Sequence, residues 1–197
     1  ELNAIDQERA HLSLAEADRL ERLLEEILLY AKPQILQLLE LEVNQLIQGM
    51  VGFLGQMPEA LERKIQLIPM ASAVKILGDE DKLKQIFINL IRNACEAIAP
   101  GETVTCRVAI GQDPAYVCIQ VQNGGDPIPA DLLPHLGEPF YSTKLDGTGL
   151  GLAIVKRIVE AHGGLFSIQS DAASGTTMSV LLPIATCAVT PCPMAAC

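Results

Sequence analysis

A chain of 197 residues, 49% of them hydrophobic and 19% charged, has the balance of a folding protein and lies outside the compositions of disordered chains. Its length predicts one domain with an appendage. Fourteen Lys and Arg against 24 Asp and Glu give a net charge of −10, and aromatics make up only 4%, so no nucleic-acid partner is expected.

Residues 1–33 read as one acidic amphipathic helix. Ala10, Leu14, Ala17, Leu20, Leu24, Ile27 and Ala31 recur at spacings of three and four, Glu8, Arg9, Glu16 and Glu25 lie on other faces, and Pro33 ends the pattern. So narrow an apolar stripe calls for a partner helix, as in a coiled coil or bundle. A second helical pattern over 35–57 carries Leu38, Leu39, Val43, Leu46, Ile47, Met50, Phe53 and Leu54. Two short strands are predicted over 64–68 and 73–77, then the strongest helix of the chain over 80–98, with Leu83, Ile86, Phe87, Leu90, Ile91, Ala94 and Ala97 on one broad face. Alternating segments over 103–110 and 116–122 read as paired strands around the turn at Gly111 to Pro114. The stretch 123–148, rich in Gly, Pro and Asp, has no period and is long for a structureless loop, which marks it as functional. A helix over 150–162 and strands over 165–170 and 176–183 complete the domain, and 185–197 reads as a mobile tail. Hairpins and long helices are segregated, which predicts an α+β two-layer sandwich, a mixed sheet with helices on one face, behind a long N-terminal helix.

Glu40 and Glu42 interrupt the Leu-rich stretch 35–54, so no charge-free run there reaches the ~20 residues that span a bilayer, and the charge-free C-terminal stretch carries Pro183, Pro191 and Pro193. The acidic, polar start does not read as a signal peptide. Cys95, Cys106, Cys118, Cys187, Cys192 and Cys197 make no CxxC pair and have no His at ligand spacing. Neither a metal site nor a secreted disulfide framework is expected, and a reducing cytoplasm fits; a parent protein anchored in a membrane through other segments is compatible with that.

Three features carry chemistry. Asn89, Asn93 and Glu96 stand at i, i+4 and i+7 of the strongest helix and share one face, where a carboxamide oxygen suits one position on Mg²⁺, although a solvated polar face would look the same. Gly147-Thr148-Gly149-Leu150-Gly151 opens the next helix; free N–H groups there bind phosphate, and a tight loop-to-helix turn uses the same residues. It is neither a Walker A loop nor a Rossmann fingerprint. The third is order: the Asn-bearing helix, then Asn123-Gly124-Gly125-Asp126-Pro127-Ile128-Pro129, then Glu138-Pro139-Phe140-Tyr141-Ser142-Thr143-Lys144, then the glycine helix, then Gly175-Thr176.

That order resembles the catalytic, ATP-binding domain of sensor histidine kinases, within the superfamily that includes gyrase B, Hsp90 and MutL, and the five segments match the family's five ordered boxes over about residues 35–184. Residues 16–20 and 28–33 resemble the second helix of the family's dimerisation and histidine-phosphotransfer hairpin. The resemblance implies a Bergerat-type domain over 34–184, a partial hairpin over 1–33, ATP and Mg²⁺ as cofactors, and a homodimer in the full-length protein. Its partners would be a phospho-accepting histidine hairpin and a response regulator. It implies that Asn93 coordinates Mg²⁺ and that Asn89 supports the metal and phosphates. A Glu holds the position of Asn89 in ATP-hydrolysing relatives as general base; an amide cannot take that proton, which favours transfer to a protein acceptor. Gly147, Thr148, Gly149, Leu150 and Gly151 would hold the phosphates with Lys144 as a nearby cation. Gly125, Ile128 and Thr176 would line the adenine pocket, with Asn123 accepting the adenine amino hydrogen where the family has an Asp. The segment 136–148 would be a mobile lid anchored by Phe140, with Leu136-Gly137 where the family has a Phe. The family's acceptor histidine is followed by Glu or Asp, whereas His11 is followed by Leu12, so the acceptor is expected outside this chain. His135 and His162 are expected to be structural. A non-catalytic nucleotide-sensing or dimerisation module and a serine-directed kinase of the anti-sigma-factor type are the alternatives.

Overall fold

In the computed structural model, which describes residues 4–32, 35–144 and 147–185, the chain opens with α1 (Ala4–Ala31). The expected stripe on it is bare where it is described: Leu14, Leu20 and Leu24 are each more than half exposed. A different edge touches the rest of the protein, near the helix end, where Leu29 and Tyr30 pack against the core. Of the stretch read as a tail, all but Ala185 lies outside the described residues; the Ala185 N–H donates to the Lys75 carbonyl at 2.8 Å.

The single helix expected over 35–57 is corrected to a strand and a shorter helix, β1 (Leu39–Glu42) and α2 (Val43–Leu54). Leu39-Glu40-Leu41-Glu42 alternates with period two, and it pairs antiparallel with β3 (Lys75–Gly78), Leu39 opposite Gly78 and Glu42 opposite Lys75. Glu42 then caps α2, its carboxylate accepting from the N–H groups of Asn44 (3.0 Å) and Gln45 (2.7 Å), donors that a helix start leaves without intrahelical partners. After Gly55 closes α2, a single 3₁₀ turn (Pro58–Ala60) leads into β2 (Lys64–Ile68).

The remaining elements, α3 (Glu80–Glu96), β4 (Thr103–Ile110), β5 (Tyr116–Asn123), α4 (Gly151–Ala161), β6 (Leu165–Asp171) and β7 (Gly175–Pro183), begin and end within two residues of expectation. Five strands form one mixed sheet in the order β2-β4-β5-β7-β6, with β2 parallel to β4 and the other pairs antiparallel. Alternation gives the sheet two faces. Val104, Cys106, Val117, Ile119, Val121, Met178 and Val180 are buried, while Arg107, Gln120 and Ser179 share the opposite, wetter face. Ile47 and Leu54 of α2, Phe87 and Leu90 of α3, and Ile154 and Ile158 of α4 join the buried face in one core, which makes the two-layer α+β sandwich.

Asp79 ties the start of α3 to the end of α4. Its carboxylate caps α3 by accepting from the Lys82 N–H (3.1 Å) and also accepts from the Gln37 N–H (2.9 Å), while its own N–H donates to His162 Nε2 (3.0 Å). His162 Nδ1 lies 2.8 Å from the Ile158 carbonyl, which can only accept, so the ring hydrogen sits on Nδ1. Burial pushes the Asp79 carboxyl up, but the backbone N–H groups of Gln37, Lys82 and Asp81 and the Lys82 charge outweigh it and hold it below its ordinary value.

Candidate functional site

At the other end of this helix pair, the polar face of α3 meets the first turn of α4. The face grades from closed to open: Asn89 is 2% exposed, Asn93 half-buried and Glu96 exposed, so the solvated reading fails for Asn89. A Cβ on Gly151 would lie 3.6 Å from Arg92 Nη2, 3.8 Å from Asn93 Nδ2 and 3.9 Å from Asn89 Oδ1. A cavity of about 160 Å³ opens there, walled by Asn93, Glu96 and Arg92 from α3, Lys144, Gly147, Thr148 and Gly149 from the preceding loop, and Gly151. Leu150 and Asn89 do not line it; Leu150 is fully buried and its N–H points at Thr148 Oγ1 (3.3 Å).

A cation already sits on the expected ligand oxygen. Lys144 Nζ donates to Asn93 Oδ1 at 3.3 Å and pairs with the Glu96 carboxylate. A carboxamide oxygen and a carboxylate converging on one positive charge are hard donors of the kind Mg²⁺ takes, so the residues present fit that ion.

Arg92, next to Asn93, was not among the expected site residues. Its Nη2 donates to Asn89 Oδ1 (3.1 Å) and pairs with Glu26 of α1 (3.2 Å), whose second oxygen accepts from the Thr148 hydroxyl. Asn89 Nδ2 is buried with no hydrogen-bond partner among the described residues. The i, i+3 spacing of Asn89 and Arg92 could have signalled their contact. Nothing local in the sequence points to Glu26.

Asn123, Gly125, Ile128 and Thr176 gather separately, outside the cavity wall. Asn123 and Thr176 are register partners on β5 and β7, both buried. Asn123 Nδ2 donates to the Gly124 carbonyl at 2.6 Å. Ser170, absent from the sequence reading, links the cluster: its hydroxyl accepts from the Ile128 N–H (2.9 Å) and lies 2.8 Å from Thr176 Oγ1. Gly125 has φ +90°, and a Cβ there would sit 2.4 Å from the Ala97 carbonyl oxygen, so the loop after β5 can cross the end of α3 only with glycine.

The expected anchoring role of Phe140 is corrected. The residue is 63% exposed, at φ +65°, and the segment is pinned instead by its main chain, Phe140 N–H donating to the Gly149 carbonyl at 3.1 Å. A Cβ on Gly149, itself at φ +70°, would meet the Phe140 carbonyl carbon at 2.5 Å, so the two strands of loop approach too closely for any side chain at 149. Residues 145–146 of the expected lid lie outside the described residues. His135 is exposed beside Glu138 (3.1 Å) and takes no part in the cavity wall.

A family model described as histidine kinase-, DNA gyrase B-, and HSP90-like ATPase matches residues 78–186. Sporulation kinase C of Bacillus subtilis (strain 168) is 35% identical over 173 residues, 86% of this chain and 40% of that protein. Sensor histidine kinase ZraS of Escherichia coli (strain K12) is 35% identical over 175 residues, 89% of this chain and 37% of that protein. The chain therefore spans about two fifths of the length of these curated relatives. Full-length ShkA, solved in complex with AMPPNP, superposes with a TM-score of 0.78 at 26% identity, over 95% of this chain and 40% of that one. Histidine kinase ThkA, solved in complex with response regulator protein TrrA, gives 0.76 at 25% identity, over 93% and 52%. With the ordered motifs, the helix-on-sheet architecture and a family match across more than half of its residues, the chain belongs to the histidine kinase-, DNA gyrase B- and HSP90-like ATPase family.

Proposed function

We propose that the chain is the catalytic region of a two-component sensor histidine kinase, which binds Mg-ATP and passes the γ-phosphoryl group to a histidine outside residues 1–197 and thence to a response-regulator aspartate. The observation that carries this reading is the convergence of Asn93, Lys144 and the glycine-opened start of α4 on one cavity. Names support it too: the relatives are called kinases, and the ThkA structure contains a response regulator. They favour it over a non-catalytic module or a serine-directed kinase.

Bound Mg-ATP would supply the transferable phosphoryl group and the metal that neutralises its charge. Asn93 Oδ1 would hold the metal. The N–H groups of Gly147, Thr148, Gly149 and Gly151 would hold the phosphates, and Lys144, now paired with Glu96, would supply a positive charge to them. Asn123, Gly125, Ile128 and Thr176 would take the adenine. Asn89 cannot accept a proton from water, so hydrolysis lacks a base at that position. The bare stripe of α1 supports a homodimer of hairpins in the parent protein. Among the described residues no helix is long and apolar enough to cross a membrane, and Cys95, Cys106 and Cys118 are free thiols, which suits the cytoplasm.

Asn93→Ala tests the metal assignment. Calorimetric titration of ATP with and without Mg²⁺ should show Mg²⁺-dependent affinity in the native chain and the loss of most of that dependence in the variant. Equal binding by both would overturn the assignment. Incubated with radiolabelled ATP and the hairpin of its own parent protein, the chain should yield acid-labile phosphohistidine on the hairpin; label on His11 would refute an acceptor outside the chain.

A further inference from the structure

Glu26 belongs to the N-terminal helix, yet its carboxylate sits at the mouth of the phosphate-side cavity, one oxygen on Arg92 and the other on the Thr148 hydroxyl. The pair is partly buried, with Arg92 28% and Glu26 17% exposed. One turn further along α1, the Arg157 guanidinium lies 5.2 Å over the Tyr30 ring and donates to the Tyr30 carbonyl, so the helix end that presents Glu26 is itself held down. A carboxylate clasped by a guanidinium and a hydroxyl at the start of a helix is an anion in an anion site.

A second observation comes from Asn89. Its Oδ1 faces Arg92, which has only donors to offer, so the carboxamide cannot be turned round and Nδ2 must point away from the guanidinium. That Nδ2 is buried without a partner among the described residues, and the carboxamide lies beside Gly151 at the first turn of α4. An orphaned buried donor calls for an acceptor. Glu26 has two oxygens and both are engaged; a terminal phosphate has three.

We infer that Arg92 and Thr148 receive the terminal phosphate of the nucleotide, with Asn89 Nδ2, just inside the cavity wall, reached by a third oxygen only as the site opens, and that Glu26 holds this place until the nucleotide displaces it. The inference rests on the ATP-binding reading above. It makes Arg92 the residue that distinguishes triphosphate from diphosphate, and it makes the docked state of α1 a competitor of ATP rather than of ADP.

Calorimetry of the full chain with ATP and with ADP, at equal free Mg²⁺, tests it. Removing the charge by Glu26→Gln should tighten ATP by roughly 3- to 10-fold and ADP by less than about twofold. Arg92→Ala should bring the ATP/ADP affinity ratio down toward about one, with circular dichroism confirming that the variant is folded. Glu26→Gln keeps the size and shape of the side chain and suffices alone if Arg92→Ala does not fold. No change for either nucleotide in Glu26→Gln, or an equal gain for both, overturns the inference while leaving ATP binding intact. Absence of ATP binding in the native chain and both variants overturns the nucleotide reading, and the inference with it.

Discussion

Replacing Asn123 by Asp exchanges one polar contact for another inside a nearly sealed site, since the residue is 3% exposed. In the free protein Nδ2 donates to the Gly124 carbonyl at 2.6 Å; a carboxylate cannot donate and sets oxygen against oxygen there. Losing that bond costs about 1 kcal/mol, and because Gly124 is exposed its carbonyl can turn to water, so the free variant should be less stable by about 1 kcal/mol. At roughly 2–4 °C per kcal/mol for a domain of this size, the melting temperature should fall by about 2–4 °C. Nucleotide binding should move the other way. The adenine amino group bonds a carboxylate for roughly 1.5–3 kcal/mol against about 1 for an amide, and desolvation of the charge offsets part of that gain. A net gain of about 1 kcal/mol is roughly fivefold in affinity. GTP presents a carbonyl where ATP presents its amino group, so the variant should also reject GTP more sharply. Thermal melts without nucleotide, and calorimetry with ATP and GTP, read the two effects separately. Unchanged ATP affinity together with an unchanged ATP/GTP ratio would refute the placement of the base at Asn123.

Two further outcomes are expected. The folded-state carboxyl of Asp79 lies below its unfolded value of about 3.9, so its contribution is complete above about pH 4 and vanishes as the pH falls through the lowered value; Asp79→Asn should therefore be less stable than the native chain at pH 7 by about 1 kcal/mol in urea unfolding, with the gap closing toward pH 3, and an equal gap at both pH values would refute the charge's role. Burial pushes the Cys106 thiol up to about 12, so iodoacetamide at pH 8 should leave Cys106 unmodified in the native chain and alkylate it after denaturation; modification of the native chain at the denatured rate would refute it.

Most elements were legible because their patterns are long. The 17 residues of α3 repeat one apolar face over more than four turns, and β4 alternates through eight residues, so neither has a competing reading. Four residues are too few: Leu39 and Leu41 fit a helix face joined to Leu38 as readily as a strand, and only pairing with β3 decides. The parallel partnership of β2 with β4 has no local signal either. The site divides the same way. Asn93, the glycines and Asn123 could be read because backbone geometry and ligand chemistry demand those residue types in order. Glu26 meets Thr148 across 122 positions and Ser170 meets Ile128 across 42, contacts that the fold creates and no spacing announces.

The tie between Asp79 and His162 bears on how the cavity can change width. It fastens α3 and α4 at the ends remote from Asn93 and Gly151, through one main-chain donor and a ring with both nitrogens engaged. Sliding one helix past the other would break that fastening, whereas pivoting about it would not. With 11 residues rising about 1.5 Å each, α4 is a lever roughly 16 Å long, so a tilt of about 5° moves its glycine end by about 1.4 Å. A displacement of that size is half a hydrogen bond's length, enough to admit or expel a phosphate oxygen while every core contact near the pivot stays in place. Lengthening α4 by a turn would amplify the stroke, and loosening its far end at His162 would turn a hinge into a slip.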